Sequence, residues 1–360
     1  MVNEVLLKDL CYIDNNFEYK DDLKGKTFFV TGATGLVGSL FVKALAMMNE
    51  RNHMNMRIIA LVRNTKKAED IFSDFMSEEC GLNILAGDVT DDGIVDKVGC
   101  ELPDVDINYI IHGACITTSK IMVEQPVDTI RTSIYGTENM LELARKYNAD
   151  KMIYLSSMEM YGTVDSASVT EDRLGYVNLA NVRSCYPESK RMCECMCTSY
   201  AKQYGVNVCS ARLAQTFGPG IFPTENRIFA QFAKSVIRKE NIVLHTRGLS
   251  EGNYCYTTDV ILALLLLMIK GQKGESYNVV NEACHTTIAD MAKMVCHNIA
   301  DDDIEVEFDL PEDIATYGYA PDVKLKLCGD KLKELGFTAT VGLEEAYRRL
   351  IAYMKTSNMC

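Results

Sequence analysis

The sequence predicts a doubly wound α/β fold, a parallel sheet covered by helices on both faces, followed by a smaller mixed lobe. Three observations carry this. Short apolar, β-prone runs alternate with segments of helical periodicity through the first part of the chain. A glycine-rich turn lies between the first strand and the first helix of that series, where an open parallel sheet receives phosphates. Beyond about Gly218 the alternation stops, and Pro219 and Pro223 mark a loop.

In chain order, residues 1–24 read as a helical or irregular lead-in. They carry acids and no apolar signal-peptide core. Thr27-Phe28-Phe29-Val30 is the first strand. Leu36, Val37, Leu40, Phe41, Ala44 and Leu45 then fall at helical spacing. Ile58–Val62 is a second buried strand, with further strands at Leu82–Leu85, Tyr109–Ile111, Met152–Leu155 and Val206–Ala211. Helical patterns lie between them, notably Asn139–Tyr147 and Glu188–Tyr204. The chain divides into the lead-in, a dinucleotide-binding domain over residues 25–217, and a mixed substrate lobe over 218–360. Some segments of that lobe are expected to return to the main sheet.

Composition narrows the function. With 360 residues and 48% hydrophobic content, a sizeable core is available. A net charge of −13 argues against nucleic acid or an anionic membrane as the main partner. The longest apolar run, Val260–Ile269, is too short to cross a bilayer and reads as a buried helix. The 14 cysteines include no C-x-x-C pair. Cys193, Cys195 and Cys197 recur at every second position of a helix, so Cys195 faces away from the other two. They read as reduced structural thiols, and no metal site is expected. A cytoplasmic enzyme fits these bounds.

Gly32-Ala33-Thr34-Gly35-Leu36-Val37-Gly38 has the chemistry of a pyrophosphate cradle. Gly32 allows a tight turn, Gly35 a close backbone approach to phosphate, and Gly38 close helix packing. The helix that follows offers unpaired N–H groups at its positive end. At the end of the second strand an acid would accept from the 2′-hydroxyl of NAD, but this chain has Arg63. A guanidinium suits a 2′-phosphate, which favours NADP slightly; a solvated surface arginine explains Arg63 almost as well. Asp88-Val89 is either an adenine-side contact or, for Asp88, a loop cap. His112-Gly113-Ala114 ends another strand at the same sheet edge and is a further candidate for contact with the cofactor.

Tyr186 and Lys190 are four residues apart, so on a helix they share a face. An ammonium beside a phenol of ordinary pKa near 10 favours the phenolate. Tyr186 then takes a proton from a hydroxyl while hydride leaves the same carbon. Ser157, at a predicted strand end, is placed to hydrogen-bond the reacting oxygen. Glu159, two residues on, is either a base or water-positioning group, or a polar rim residue.

These segments resemble the extended short-chain dehydrogenase/reductase family, in its nucleotide-sugar epimerase and dehydratase branch, from about Lys26 to beyond Asn281. Within the branch, Gly175-Tyr176-Val177-Asn178 and Arg183–Arg191 are most similar to UDP-glucuronate decarboxylases. The resemblance implies a tightly bound NAD(P), a nucleotide-diphosphate sugar as substrate, and oxidation at sugar C4. It makes Ser157, Tyr186 and Lys190 the oxidising set, with Glu159 at C5. It places Gln215, in the Arg212–Pro219 stretch, Arg227 and Tyr254 on the substrate side. It also implies a homodimer, paired through apolar positions in Met140–Leu143 and Met192–Tyr200.

Three positions depart from the branch. Met158 stands where dTDP-glucose 4,6-dehydratases carry an acid, and a thioether donates no proton. Gly252 replaces an arginine two before Tyr254, and Gln215 replaces an asparagine. The leading expectation is an epimerase that re-reduces a transient 4-ketone. Decarboxylase, dehydratase and an NADP-dependent carbonyl reductase follow, with a non-catalytic dinucleotide-binding scaffold as the remaining alternative.

Overall fold

The computed structural model describes residues 2–103, 105–310, 323–357 and 359. Six strands come from the first part of the chain: β1 (Thr27–Thr31), β2 (Arg57–Val62), β3 (Leu82–Ala86), β4 (Tyr109–His112), β5 (Lys151–Ser157) and β6 (Val208–Leu213). Further on come β7 (Gln215–Phe217), β8 (Ile242–Leu244), β9 (Glu251–Tyr256), β10 (Ser276–Val279), β11 (His285–Thr287) and β12 (Val306–Phe308). The main sheet has seven strands in the order β10-β6-β5-β4-β1-β2-β3, and every pairing is parallel. The strand order reverses between β1 and β4, which opens a crevice at their carboxyl ends.

The apolar runs become strands because both sheet faces are covered. In β1, Phe28 and Val30 enter one core and Phe29 the other, as side-chain alternation requires. The Pro126–Lys146 and Cys185–Gln203 helices cover the second face with Met140, Leu141, Leu143, Cys193 and Cys197. The first face carries the Leu36–Asn52 and Thr257–Lys270 helices. Val260, Ile261 and the leucine run to Leu267 are enclosed there, as the unbroken apolar stretch predicts. No helix among the described residues is long and apolar enough to cross a membrane.

Two features sharpen the sequence picture. The lead-in contains a packed helix, Glu4–Asn16, which buries Leu6, Leu10 and Ile13. Its Asp9 is buried too, accepting from Tyr256 Oη at 2.5 Å and Arg349 Nη1 at 3.0 Å. From the C-terminal part of the chain, β10 adds an edge strand beside β6. Asn278 anchors it, accepting from Tyr161 Oη at 2.6 Å and donating to Cys328 O at 2.9 Å. A smaller sheet, β11-β9-β7, and the β8–β12 pair complete the strands described.

Candidate active site

The glycine turn is built by contact as well as by conformation. Gly32 adopts φ +66°, and a Cβ there would lie 2.5 Å from the Gly113 carbonyl carbon. At Gly38 a Cβ would lie 2.3 Å from Gly32 O, so the helix packs directly on the turn. Gly35 is the residue before the first helical turn and has no side-chain cap, which leaves the helix amides open to a ligand. Thr34, Gly35, Leu36 and Val37 all keep some solvent exposure. An uncapped helix N-terminus on a tight glycine turn fits a dinucleotide pyrophosphate.

Within the protein, His112 ties the end of β4 to its neighbours. It is buried at the end of β4, with Nδ1 2.7 Å from Thr31 Oγ1 and Nε2 3.2 Å from Thr137 Oγ1. Both ring nitrogens are therefore engaged within the protein, bolting β4 to β1 and to the Pro126–Lys146 helix. Gly113 follows, its N–H donating to Thr31 O at 3.2 Å, and Ala114 N donates to Thr31 Oγ1 at 3.3 Å. Burial, with Lys190 adding to it, pushes the His112 pKa down to about 3. The ring is neutral when folded and must charge on unfolding, so its contribution is full above about pH 6.5 and is lost as pH falls toward 3. Between pH 7 and 4.5, His112→Gln is expected to remove about 2–3 kcal/mol of the acid destabilisation seen in urea unfolding.

At the neighbouring sheet edge, Arg63 is 76% exposed and lies 3.8 Å from Asp88 Oδ2. Asp88 is also a loop cap, its Oδ1 accepting from Thr90 N at 2.9 Å and Thr90 Oγ1 at 2.8 Å. Val89 is buried in the core, and its carbonyl accepts from Asn139 Nδ2 at 2.8 Å. Arg63 lines a cleft of about 530 Å³ with Thr90, Asp92, Arg131 and Tyr135. Sequence reasoning missed Arg131, because nothing local relates its helix to the end of β2.

The structure brings Ser157, Tyr186 and Lys190 together near the end of β5. Ser157 ends β5, and its Oγ accepts from Glu159 N at 3.2 Å. Tyr186 stands in the first turn of the Cys185–Gln203 helix, close enough to Ser157 for that hydroxyl to pull the phenol's pKa down. Lys190, one turn on, is buried; its Nζ donates to Leu155 O at 2.7 Å and stands 5.7 Å from the Tyr186 ring centre. The balance at the phenol differs from the sequence expectation. Burial pushes the Tyr186 phenol up and outweighs Lys190, which pulls it down. A phenol and an ammonium so arranged can take up and return a proton out of contact with bulk water.

Glu159 sits in the single turn Met158–Tyr161. Arg191 pins that turn, donating to Met160 O at 2.7 Å and Tyr161 O at 3.2 Å. Glu159 Oε2 accepts from Arg183 Nη2 at 2.8 Å. The guanidinium of Arg183 also stands 5.4 Å from the Tyr186 ring centre.

On the substrate side the positions divide. Gln215 opens β7, which pairs with β9 in register with Tyr254. Tyr254 packs in the core against Phe217 at 6.0 Å, and burial raises its phenol to about 12. Arg227 precedes the Ile228–Arg238 helix and is held by Glu225 through contacts of 3.1 and 2.7 Å. Space beside Gly252 is open: a Cβ there would meet no atom within 4 Å. Arg212 is structural: it pairs with buried Glu194 at 2.7 Å and donates to Tyr161 Oη at 2.9 Å. Removing either member of such a buried pair costs about 3–5 kcal/mol.

Comparison with known proteins shows the family. The family model described as the NAD dependent epimerase/dehydratase family matches residues 28–280. UDP-glucuronic acid decarboxylase 6 of Arabidopsis thaliana is 29% identical over 325 residues, covering 87% of this chain and 89% of the relative. The dTDP-D-glucose 4,6-dehydratase of Homo sapiens is 25% identical over 330 residues, covering 92% and 90%. Among solved structures, UDP-glucose 4-epimerase of Thermotoga maritima superposes with a TM-score of 0.76 at 24% identity, covering 92% of this chain and 99% of that one. UDP-glucuronic acid 4-epimerase from Bacillus cereus gives a TM-score of 0.74 at 20% identity, with coverage of 92% and 99%. The chain is thus a member of the NAD dependent epimerase/dehydratase family.

Proposed function

We propose that this protein is a nucleotide-sugar epimerase that works through a transient 4-ketone. The observation that carries it is the convergence of Ser157, Tyr186 and Lys190 at the end of β5, beside the open glycine turn. A nicotinamide dinucleotide held at Gly32–Gly38 supplies a reversible hydride acceptor. Ser157 and Tyr186 hold the C4 oxygen. As the C4–H bond breaks and its electron pair leaves, the hydroxyl proton passes to the Tyr186 phenolate. Lys190 favours that phenolate against the cost of burial. If hydride then returned to the opposite face of C4, Tyr186 would give the proton back to that oxygen and no net oxidation would remain.

A second reading is decarboxylation, favoured by the relatives named for that activity and by the Glu159–Arg183 pair. Turnover of a nucleotide-sugar panel in heavy water separates the two by mass spectrometry. Unchanged heavy-atom mass with inverted C4 supports epimerisation. Loss of CO2 supports decarboxylation, loss of water supports dehydration, and stoichiometric consumption of NADPH would make the protein a reductase.

Two finer expectations belong with this reading. For the cofactor, Arg63 favours NADP, because an exposed guanidinium 3.8 Å from Asp88 remains available to a 2′-phosphate. Exposed pairs contribute about 1 kcal/mol or less, so NADP should bind only a few-fold tighter than NAD, and Arg63→Ala should erase the difference in a fluorescence titration. For assembly the reading is a homodimer, which exposed apolar side chains support. Met140, Leu141 and Leu143 are buried within the chain, whereas Val127, Ile130 and Met192 are exposed on the two helices. Light scattering showing a monomer at working concentration would remove it.

A further inference from the structure

The loop after β7, residues 218–227, runs past the glycine turn before the Ile228–Arg238 helix begins. Gly220 takes φ +97° and comes so near the glycine-turn helix that a Cβ there would lie 3.6 Å from Leu36 Cδ1 and 3.5 Å from Leu40 Cδ2. Leu36 is the first residue of that helix, beside its uncapped amides. Ile221 then enters the core. Phe222 reaches the Thr65–Phe72 helix, which follows β2, and the Lys67 ammonium stands 4.6 Å from the centre of its ring. Beyond Phe222 the loop is tied to its own lobe: Lys234 Nζ donates to Pro223 O at 3.2 Å and to Glu225 O at 2.7 Å. One loop therefore reaches both helices that leave the carboxyl ends of β1 and β2. The pyrophosphate and adenosine ribose of a dinucleotide lie along those two strand ends.

The two anchors of the loop differ. Ile221 is buried, whereas Phe222 is half-buried and Lys67 exposed. The Lys67–Phe222 contact is the end that can open without unpacking the core. We propose that residues 218–227 form a strap across the cofactor crevice, latched by Lys67 and Phe222, which retains the nicotinamide dinucleotide between turnovers. An ammonium over an aromatic face is held by the ring quadrupole, and at an exposed site the attraction is modest. Modest strength suits a latch, because affinity differences fall mostly on dissociation and closing segments commonly govern release. The inference rests on the glycine-turn site and holds whichever sugar reaction follows.

The test is the rate at which NADH leaves. Protein loaded with NADH is mixed with excess NAD+, and release is followed by the loss of NADH fluorescence. Phe222→Leu keeps apolar bulk without the aromatic face, and Lys67→Met keeps the length without the charge. Circular dichroism checks that both fold. Each should speed release roughly two- to fivefold, the change that one exposed cation–π contact corresponds to. The double variant should release no faster than either single one, since both remove the same contact. Lys67→Arg and Phe222→Tyr should stay near wild type. Release unchanged in both single variants would overturn the inference, as would independent effects that multiply in the double variant. Acceleration confined to Lys67→Met, and larger for NADPH than for NADH, would make Lys67 a direct phosphate contact and overturn it too. If wild-type protein holds no NADH at all, the cofactor site itself is misplaced and the strap falls with it.

Discussion

Tyr186→Phe is expected to lower turnover by about 10²–10⁴-fold while leaving the cofactor bound. The phenyl ring keeps the packing of the side chain, and Lys190 keeps its 2.7 Å bond to Leu155 O. Only the proton carrier is lost. Steady-state assay with a nucleotide sugar reads the first effect, and cofactor fluorescence reads the second. Full activity in this variant would show that another group moves the proton. A loss of activity accompanied by loss of cofactor would instead mean that Tyr186 serves mainly in binding.

Gly38→Ala is the second large effect. The new methyl would sit 2.3 Å from Gly32 O and 3.1 Å from Ala33 Cα, and both neighbours are backbone. Neither can swing aside, so the Leu36–Asn52 helix must back away from the turn. Its uncapped amides then leave the position a pyrophosphate needs. A displacement of about 1 Å at such a site costs on the order of 100-fold, here in cofactor affinity. Gly93→Ala is the control, because a Cβ there meets nothing within 4 Å. Circular dichroism checks that both variants fold. Unchanged affinity in Gly38→Ala would move the phosphate site elsewhere.

Much of the fold was legible because its signals are local. Strands buried on both faces read as continuous apolar runs, and Phe28, Phe29 and Val30 occupy the predicted strand. The glycine turn and the Tyr186–Lys190 spacing are equally local, being set by one turn of backbone. What escaped depends on distant partners. Ser276–Val279 is short and polar, and it becomes a sheet strand because Asn278 meets Tyr161, Val169 and Cys328. Asp9 tolerates burial only because Tyr256 and Arg349 come to it from far along the chain.

The same distinction runs through the site. Arg227 has its acid two residues away, at Glu225, and that pair was within reach of sequence reasoning. Arg212 was not, since Glu194 and Tyr161 approach it from other elements. Helical spacing marks Met140, Leu141 and Leu143 as an apolar face, but not what covers it; the chain's own sheet does. At Tyr186 the sequence shows the lysine that acidifies the phenol and hides the burial that opposes it.

The most direct test follows the hydrogen at C4. Cofactor-loaded protein is given a nucleotide sugar carrying deuterium at C4, and the product is read by NMR and mass spectrometry. Reversible oxidation at this carbon predicts deuterium retained at C4 of the same molecule, with no net NADH or NADPH formed. Deuterium lost to solvent, or turnover with no isotope effect and no involvement of that C–H bond, would contradict it.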